Sequence, residues 1–369
     1  MAGLMGPPPV KMKTLHPRQV WTLLLFKLNR EPKAELCFYS TSMTSDVPSG
    51  VDGPTYYRLL ESMPVMLWTA DAGGIWHHVN EAWTRYTGVL GPTRGFGFEE
   101  ALHPEDLSRV LAVWQAAVRA RTPYEIEYRL RHVEGGYRWF LIRGVPVVDA
   151  EGVQIAWVGT CTDIEAQKRA EQDSLAAREA AVRALGLAME ARDHATQGHT
   201  DRVTALALRL GRALRLDAAT LAALRLGAYL HDVGKLAIPD AVLLKPGRLN
   251  EAEWALMRAH VTDGARFAAG LGFLSPDTLA VVEQHHERWD GSGYPDGRSG
   301  TKIHPLARLF SVVDVYDALI SERPYKAAWT PEAAGDELRR ESGRQFDPAM
   351  VEAFLAELST HAADPVPTP

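Results

Sequence analysis

Hydrophobic and polar positions change rhythm about halfway along the chain. Between residues 56 and 160, short apolar runs rich in β-branched and aromatic residues alternate with glycine turns. Residues 65–70 and 75–79 predict the two strands of a hairpin joined by Asp71-Ala72-Gly73-Gly74. Asn80 can cap a helix beginning Glu81-Ala82-Trp83, and His103-Pro104-Glu105-Asp106 opens another that runs to about residue 121. Residues 124–131, 137–148 and 155–160, broken at Gly135-Gly136 and Glu151-Gly152, predict three antiparallel strands.

From residue 164 to about 190 no proline interrupts a stretch of Ala, Glu, Arg and Gln, which predicts one long helix. Leu175, Val182 and Met189 recur every seven positions, with Leu185 at a second apolar position. That spacing suits a solvated linker helix or a short parallel dimer seam equally. Beyond it the apolar spacing becomes three and four, as in Val203, Leu206, Leu210 and Leu214, then Leu221, Leu224 and Leu230. Pro239, Pro246, Pro276, Pro295 and Pro305 divide this segment into helices of ordinary length. The fold class expected is multidomain: an α+β domain of antiparallel sheet and short helices, a helical linker, then an all-α domain.

At 369 residues, two domains are the natural expectation, and a composition 46% hydrophobic and 23% charged can build both cores. A net charge of −6 argues against a protein that coats a nucleic acid polymer. Cys37 and Cys161 form no CxxC pair, so neither a disulfide framework nor a thiolate zinc site is expected, and a cytoplasmic location fits. The apolar run at 20–26 is too short to span a bilayer, and no small-residue cleavage pattern follows the basic start. Gly6-Pro7-Pro8-Pro9 and the lack of any period predict disorder over residues 1–54.

The chemistry concentrates in the helical half. His285-His286-Glu287-Arg288-Trp289-Asp290-Gly291-Ser292-Gly293-Tyr294-Pro295 and His231-Asp232-Val233-Gly234-Lys235 are accompanied by His199, His260 and Asp314. Eight of the thirteen histidines lie at or beyond residue 194, and five of those flank carboxylates or each other in apolar settings. Imidazole with carboxylate and no thiolate suits iron, manganese or zinc. An aspartate such as Asp232 can bridge two ions, and a pair of ions can clamp a phosphoryl group. Lys235, three residues on, shares a face with Asp232 if the helix continues, and its ammonium suits charge developing on a phosphoryl oxygen. His194, His304 and His361 read as structural or exposed. His77 and His78 read as polar residues on a hairpin face, with haem ligation as the sharper alternative.

Two resemblances then become specific. Asp71…Gly74…Asn80-Glu81-Ala82-Trp83…Thr87-Gly88, His103-Pro104-Glu105-Asp106, Gly136-Tyr137-Arg138-Trp139 and Gly159-Thr160…Asp163-Ile164 together resemble a PAS domain. Domains of that kind sense small molecules or mediate dimers; the helical region lacks the cysteine that a flavin photosensor would use, which disfavours light sensing. In the second half, His231 to Lys235, Ile238-Pro239-Asp240, Lys245-Pro246-Gly247, the 285–295 stretch, Asp314…Asp317-Ala318-Leu319, Arg323-Pro324-Tyr325 and Phe346-Asp347-Pro348 resemble the HD-GYP family of metallohydrolases over about residues 181–360.

That second resemblance implies an enzyme that linearises cyclic di-GMP to pGpG, with a second cut to GMP left open. It implies two divalent ions, iron or manganese. One would be held by His199, His231, Asp232 and Asp314; Asp232 would bridge to another held by His260, His285 and His286. Lys235 would sit beside the scissile phosphate, Arg323 and Lys326 would contact the dinucleotide's phosphates, and Tyr294 would pack on a base or on the fold. A third ion is not expected, because Ala195 stands where some members carry a glutamate; Glu190 is a poor substitute and is expected to pair with an arginine. The domains expected are 1–54 disordered, 55–165 PAS sensor, 166–188 linker helix, 189–362 HD-GYP and 363–369 tail. A homodimer and signalling partners such as a diguanylate cyclase are further expectations. Two alternatives remain: a general HD nucleotide phosphohydrolase, which would not need the 285–295 loop, and a catalytically silent adaptor binding the dinucleotide or a protein.

Overall fold

Strand-forming residues in the first half build one antiparallel sheet. Its strands are β1 (Met66–Asp71), β2 (Trp76–Val79), β3 (Tyr124–Arg131), β4 (Tyr137–Val148) and β5 (Gln154–Asp163), in spatial order β2-β1-β5-β4-β3. Helices α1 (Glu81–Thr87) and α2 (Leu107–Ala120) complete it. The computed structural model describes residues 58–91, 98–193, 198–322 and 327–360. The segment 1–54 expected to be disordered, the 363–369 tail, Cys37, His194, Ala195, Arg323, Lys326 and His361 therefore lie outside the described residues.

Asn80 caps α1 as expected, its side chain accepting from the Trp83 amide, and also accepts from Leu67 N–H while donating to the Leu60 and Val65 carbonyls. The core of the sheet is tryptophan: Trp68 stacks on Trp76 at 4.6 Å, and Trp83, Trp114 and Trp157 close around them. Gly159 lies opposite Trp68 across β1 and β5, where a Cβ would overlap the indole. Residues 103–106 open α2 as expected, with Asp106 at its N-cap position; the Asp106 carboxylate caps no helix amide and instead accepts from the guanidinium and the backbone N–H of Arg129. Strand β5 runs longer than its apolar stretch since it is hydrogen-bonded to β1 on one side and β4 on the other.

The chain divides into two compact units between Gln172 and Asp173, and α3 (Glu165–Asp193) runs unbroken across that division. After it the second unit consists of α4 (His199–Ala213), α5 (Ala218–Leu230), a 3-10 turn (Val233–Ala237), α6 (Asp240–Leu243), α7 (Glu251–Arg258), α8 (His260–Gly270), α9 (Pro276–Gln284), α10 (Pro305–Ile320), α11 (Pro331–Arg340) and α12 (Pro348–Thr360). Apolar spacing of three and four puts Leu206 and Leu210 of α4, Leu224 and Ala228 of α5, Phe310 and Val313 of α10 and Phe354 of α12 in one core. The later members of the seven-residue repeat find neighbours inside the chain. Val182 and Met189 are buried and Leu185 is half-buried, with Val182 and Leu185 packing among Leu230, Val233 and Val282, while Leu175 is exposed. At Gly186 a Cβ would overlap the Tyr229 carbonyl oxygen, so α3 lies directly on α5 there. Among the described residues, no helix is long and apolar enough to cross a membrane.

Candidate metal centre

Helix ends supply the histidines. His199 is the first residue of α4 and His260 the first of α8, while His231 and His285 follow the last residues of α5 and α9. Three of these rings are set by their own helix. The Nδ1–H of His231 donates to the Ala228 carbonyl at 2.8 Å, that of His260 to Met257 at 2.7 Å and that of His285 to Val282 at 2.9 Å. Each proton is therefore on Nδ1, and each Nε2 lone pair points away from the helix.

Those lone pairs converge. Asp232, His260, His285 and His286 form one group, and His199, His231 and Asp314 another; within each group the donor atoms lie within 4.8 Å of one another. Asp232 faces both groups, with Oδ2 3.2 Å from His231 Nε2 and Oδ1 3.4 Å from His260 Nε2. His260 Nε2 and His285 Nε2 approach to 3.4 Å with no proton between them, an arrangement that a cation relieves. His231 Nε2 is buried without a hydrogen bond. These orphaned donors, all imidazole nitrogen or carboxylate oxygen, fit two divalent ions.

Electrostatics separate the rings: His285 and His286 are held neutral, whereas His231 is held protonated by its carboxylate neighbours and would give up a proton to a cation. Burial, with His260 adding to it, lowers His286 to about 4, and burial with neighbouring imidazoles drives His285 well below the usual histidine range. Both rings are thus neutral and free to donate a lone pair near pH 7. Burial opposes a charge on His231, but the Asp232 and Asp314 carboxylates push it up to about 9. Burial works against ionised Asp232 as well, yet Lys235 and His231 hold its carboxyl well below the ordinary value.

Around the donors stands a supporting layer. Asp317, fully buried, accepts from His199 Nδ1 at 2.8 Å and is itself gripped by Arg202, while His199 Nε2 faces Asp314 at 3.5 Å. The 285–295 loop folds back on buried Glu287, which accepts the amides of Asp296 and Arg298. Tyr294 lies against His286, ring centroids 4.8 Å apart, so its described contact is with the fold. Lys235 sits in a 3-10 turn instead of a continued α-helix, but three residues still bring its Nζ to 2.6 Å from Asp232 Oδ2; Asp193 accepts from it at 2.9 Å.

Two outcomes depart from the sequence reading. Glu190 does not pair with an arginine among the described residues; it accepts the amides of Gly198 and Thr200 at the start of α4, where unpaired N–H groups are available. Asp317, Glu287 and Asp193 were given no role from sequence. Asp317 could have been found, since it lies three residues after Asp314 and so on the same face of one helix. His304 is structural as expected, accepting the Leu306 amide at the start of α10.

Comparison with known proteins follows this geometry. Residues 186–350 match the HD domain family, and residues 77–161 match the PAS fold. Over 173 residues the chain is 44% identical to the cyclic di-GMP phosphodiesterase response regulator RpfG of Xanthomonas campestris, covering 46% of each protein. It is 40% identical over 172 residues to 3'3'-cGAMP-specific phosphodiesterase 2 of Vibrio cholerae, covering 46% of this chain and 33% of that protein. It is 32% identical over 286 residues to a cyclic di-GMP phosphodiesterase of Vibrio cholerae, covering 73% of this chain and 57% of that protein. The chain thus spans less than half the length of the first two relatives and somewhat over half of the third. The chain therefore carries a segment that matches the PAS fold and, after it, one that matches the HD domain family and is similar to proteins named as cyclic dinucleotide phosphodiesterases.

Proposed function

We propose that the second unit is a metal-dependent phosphodiesterase that opens cyclic di-GMP to linear pGpG. The observation that carries this reading is Asp232, whose two oxygens face two separate histidine groups 3.2 and 3.4 Å away. Two divalent ions held there, iron or manganese, would supply Lewis acidity toward phosphoryl oxygens and lower the pKa of water. His199, His231 and Asp314 would hold one, His260, His285 and His286 the other, with Asp232 shared. Asp317 keeps the His199 ring in place, and Glu287 keeps the loop that carries Tyr294 against His286. Lys235 holds positive charge beside the shared aspartate, where a non-bridging phosphate oxygen would gain negative charge as water adds to phosphorus and the bond to O3′ breaks. Arg323 and Lys326 are assigned to the dinucleotide's phosphates. We assign the PAS unit a regulatory part, with an unspecified ligand, and place the enzyme in the cytoplasm.

The test is direct: purified protein loaded anaerobically with iron or manganese is given cyclic di-GMP, 3'3'-cGAMP or dGTP, and the products are separated. Conversion of cyclic di-GMP to pGpG is expected. Preference for 3'3'-cGAMP would select the chemistry of the relative named for it, dGTP turnover would select a general HD phosphohydrolase, and no turnover of any would select the adaptor. Metal analysis of the same preparation is expected to find two ions per chain, and three tightly held ions would contradict that.

Lys235 and Arg323 should separate chemistry from binding. Lys235→Ala is expected to lower kcat by about 10²-fold or more with KM nearly unchanged, whereas Arg323→Ala should mainly raise KM. Steady-state kinetics on both variants decides this, and the reverse pattern rejects the two roles.

A further inference from the structure

Arg192 and Asp193 are the last two residues of α3. The Arg192 guanidinium reaches the 3-10 turn that carries Lys235: Nη1 donates to the carbonyls of Lys235 and Leu236, both at 3.0 Å, and Nη2 to the Ile238 carbonyl at 2.8 Å and to Asp240 Oδ1 at 2.7 Å. The next residue, Asp193, accepts from Lys235 Nζ at 2.9 Å. Two consecutive residues therefore hold the same lysine, one by its backbone and one by its ammonium. A lysine side chain has four rotatable bonds and loses much freedom when fixed, so both anchors are needed to hold its charge at one place. Asp232 also binds the ammonium, but its oxygens are the ones facing the two histidine groups. Asp193 meets the lysine from α3 and belongs to neither group of donors.

One turn earlier, Glu190 accepts the amides of Gly198 and Thr200, on either side of His199. The same turn of α3 thus grips the start of α4 and the turn after α5. We propose that Arg192 and Asp193 are positioning residues for phosphodiester hydrolysis: they set Lys235, and Asp193 keeps the ammonium in place once the Asp232 oxygens are engaged by ions. This rests on the phosphodiesterase reading for its kinetic part only.

The test uses the full chain and four variants, Arg192→Ala, Arg192→Lys, Asp193→Ala and Asp193→Asn. It measures amide hydrogen exchange over residues 233–240, bound manganese, and steady-state kinetics on cyclic di-GMP and on bis(p-nitrophenyl) phosphate. Arg192→Ala is expected to speed exchange over 233–240 and to lower kcat by roughly 10- to 100-fold, with KM within about twofold and manganese content unchanged. Arg192→Lys should not rescue it, because an ammonium cannot serve the four acceptors that the planar fork serves. Asp193→Asn keeps an acceptor oxygen in the same shape and should retain more kcat than Asp193→Ala, at equal thermal stability. Unchanged exchange in Arg192→Ala, quickened exchange with wild-type kcat on both substrates, or equal loss in both Asp193 variants would overturn the proposal. Turnover of bis(p-nitrophenyl) phosphate without turnover of cyclic di-GMP would remove the proposed substrate, while the positioning role would be scored on the simpler diester.

Discussion

Asp232→Ala is expected to lower turnover by at least about 10⁴-fold, or about 5 kcal/mol of barrier. No other described side chain stands between the two histidine groups, with one oxygen 3.2 Å from His231 and the other 3.4 Å from His260. Its removal takes a donor from one group, the carboxylate that faces His231 of the other, and from Lys235 its 2.6 Å partner. Asp232→Asn keeps a single acceptor oxygen and should bind close to one ion instead of two. Metal analysis beside single-turnover kinetics checks both statements. The first unit should stay folded in each variant, since its tryptophan core shares no residue with the centre. Hydrolysis by Asp232→Ala at the wild-type rate would sink the two-ion reading.

Gly234→Ala should be the most damaging change that touches no donor atom. A Cβ at that position would overlap the His260 carbonyl oxygen and press on the Gly264 amide. These are backbone atoms of α8, so no side-chain rotation can make room. Overpacking of this kind costs about 3 kcal/mol or more. For a unit of this size that lowers the melting temperature by roughly 6 °C or more. Manganese affinity should fall with it, because the displaced segment begins at His260. Gly270→Ala is the control, since no atom lies within 4 Å of its added Cβ and the change should stay within about 0.5 kcal/mol. Calorimetry on the two variants decides the matter, and a Gly234→Ala melt equal to wild type would show that α8 gives way more easily than its backbone contacts suggest.

Period and turn chemistry carried most of the fold. Alternating and aromatic runs marked five strands, and glycine pairs marked where they end, because those signals act over two to six residues. What the sequence hid were effects of distant partners. Asp106 opens a helix as read, but its carboxylate goes to Arg129, twenty-three residues away. The repeat through Val182 and Met189 was read as a solvated linker helix or a parallel dimer seam, and packing within the chain was not among those readings. Only packing among Leu230, Val233 and Val282 shows where Val182 is spent. At the centre, the donor types and their motifs were legible, while the layer behind them was not. Glu190 was expected to find an arginine and instead found backbone amides, which leave no trace in residue identity. Asp193 is the same case in reverse: its partner Lys235 was in view, but forty-two residues separate them.

The three rings anchored to carbonyls of their own helices have a consequence for exchange of the ions. His231, His260 and His285 owe their orientation to Ala228, Met257 and Val282, and none of these bonds involves a metal. Stripping the protein with a chelator should therefore leave a template whose donors stay aimed, and reloading should require neither ring flips nor refolding. Such a template would leave the choice among divalent ions to their intrinsic affinity for imidazole and carboxylate and to their availability. Under the phosphodiesterase reading proposed above, the rate would then depend on which suitable divalent ion the surroundings supply.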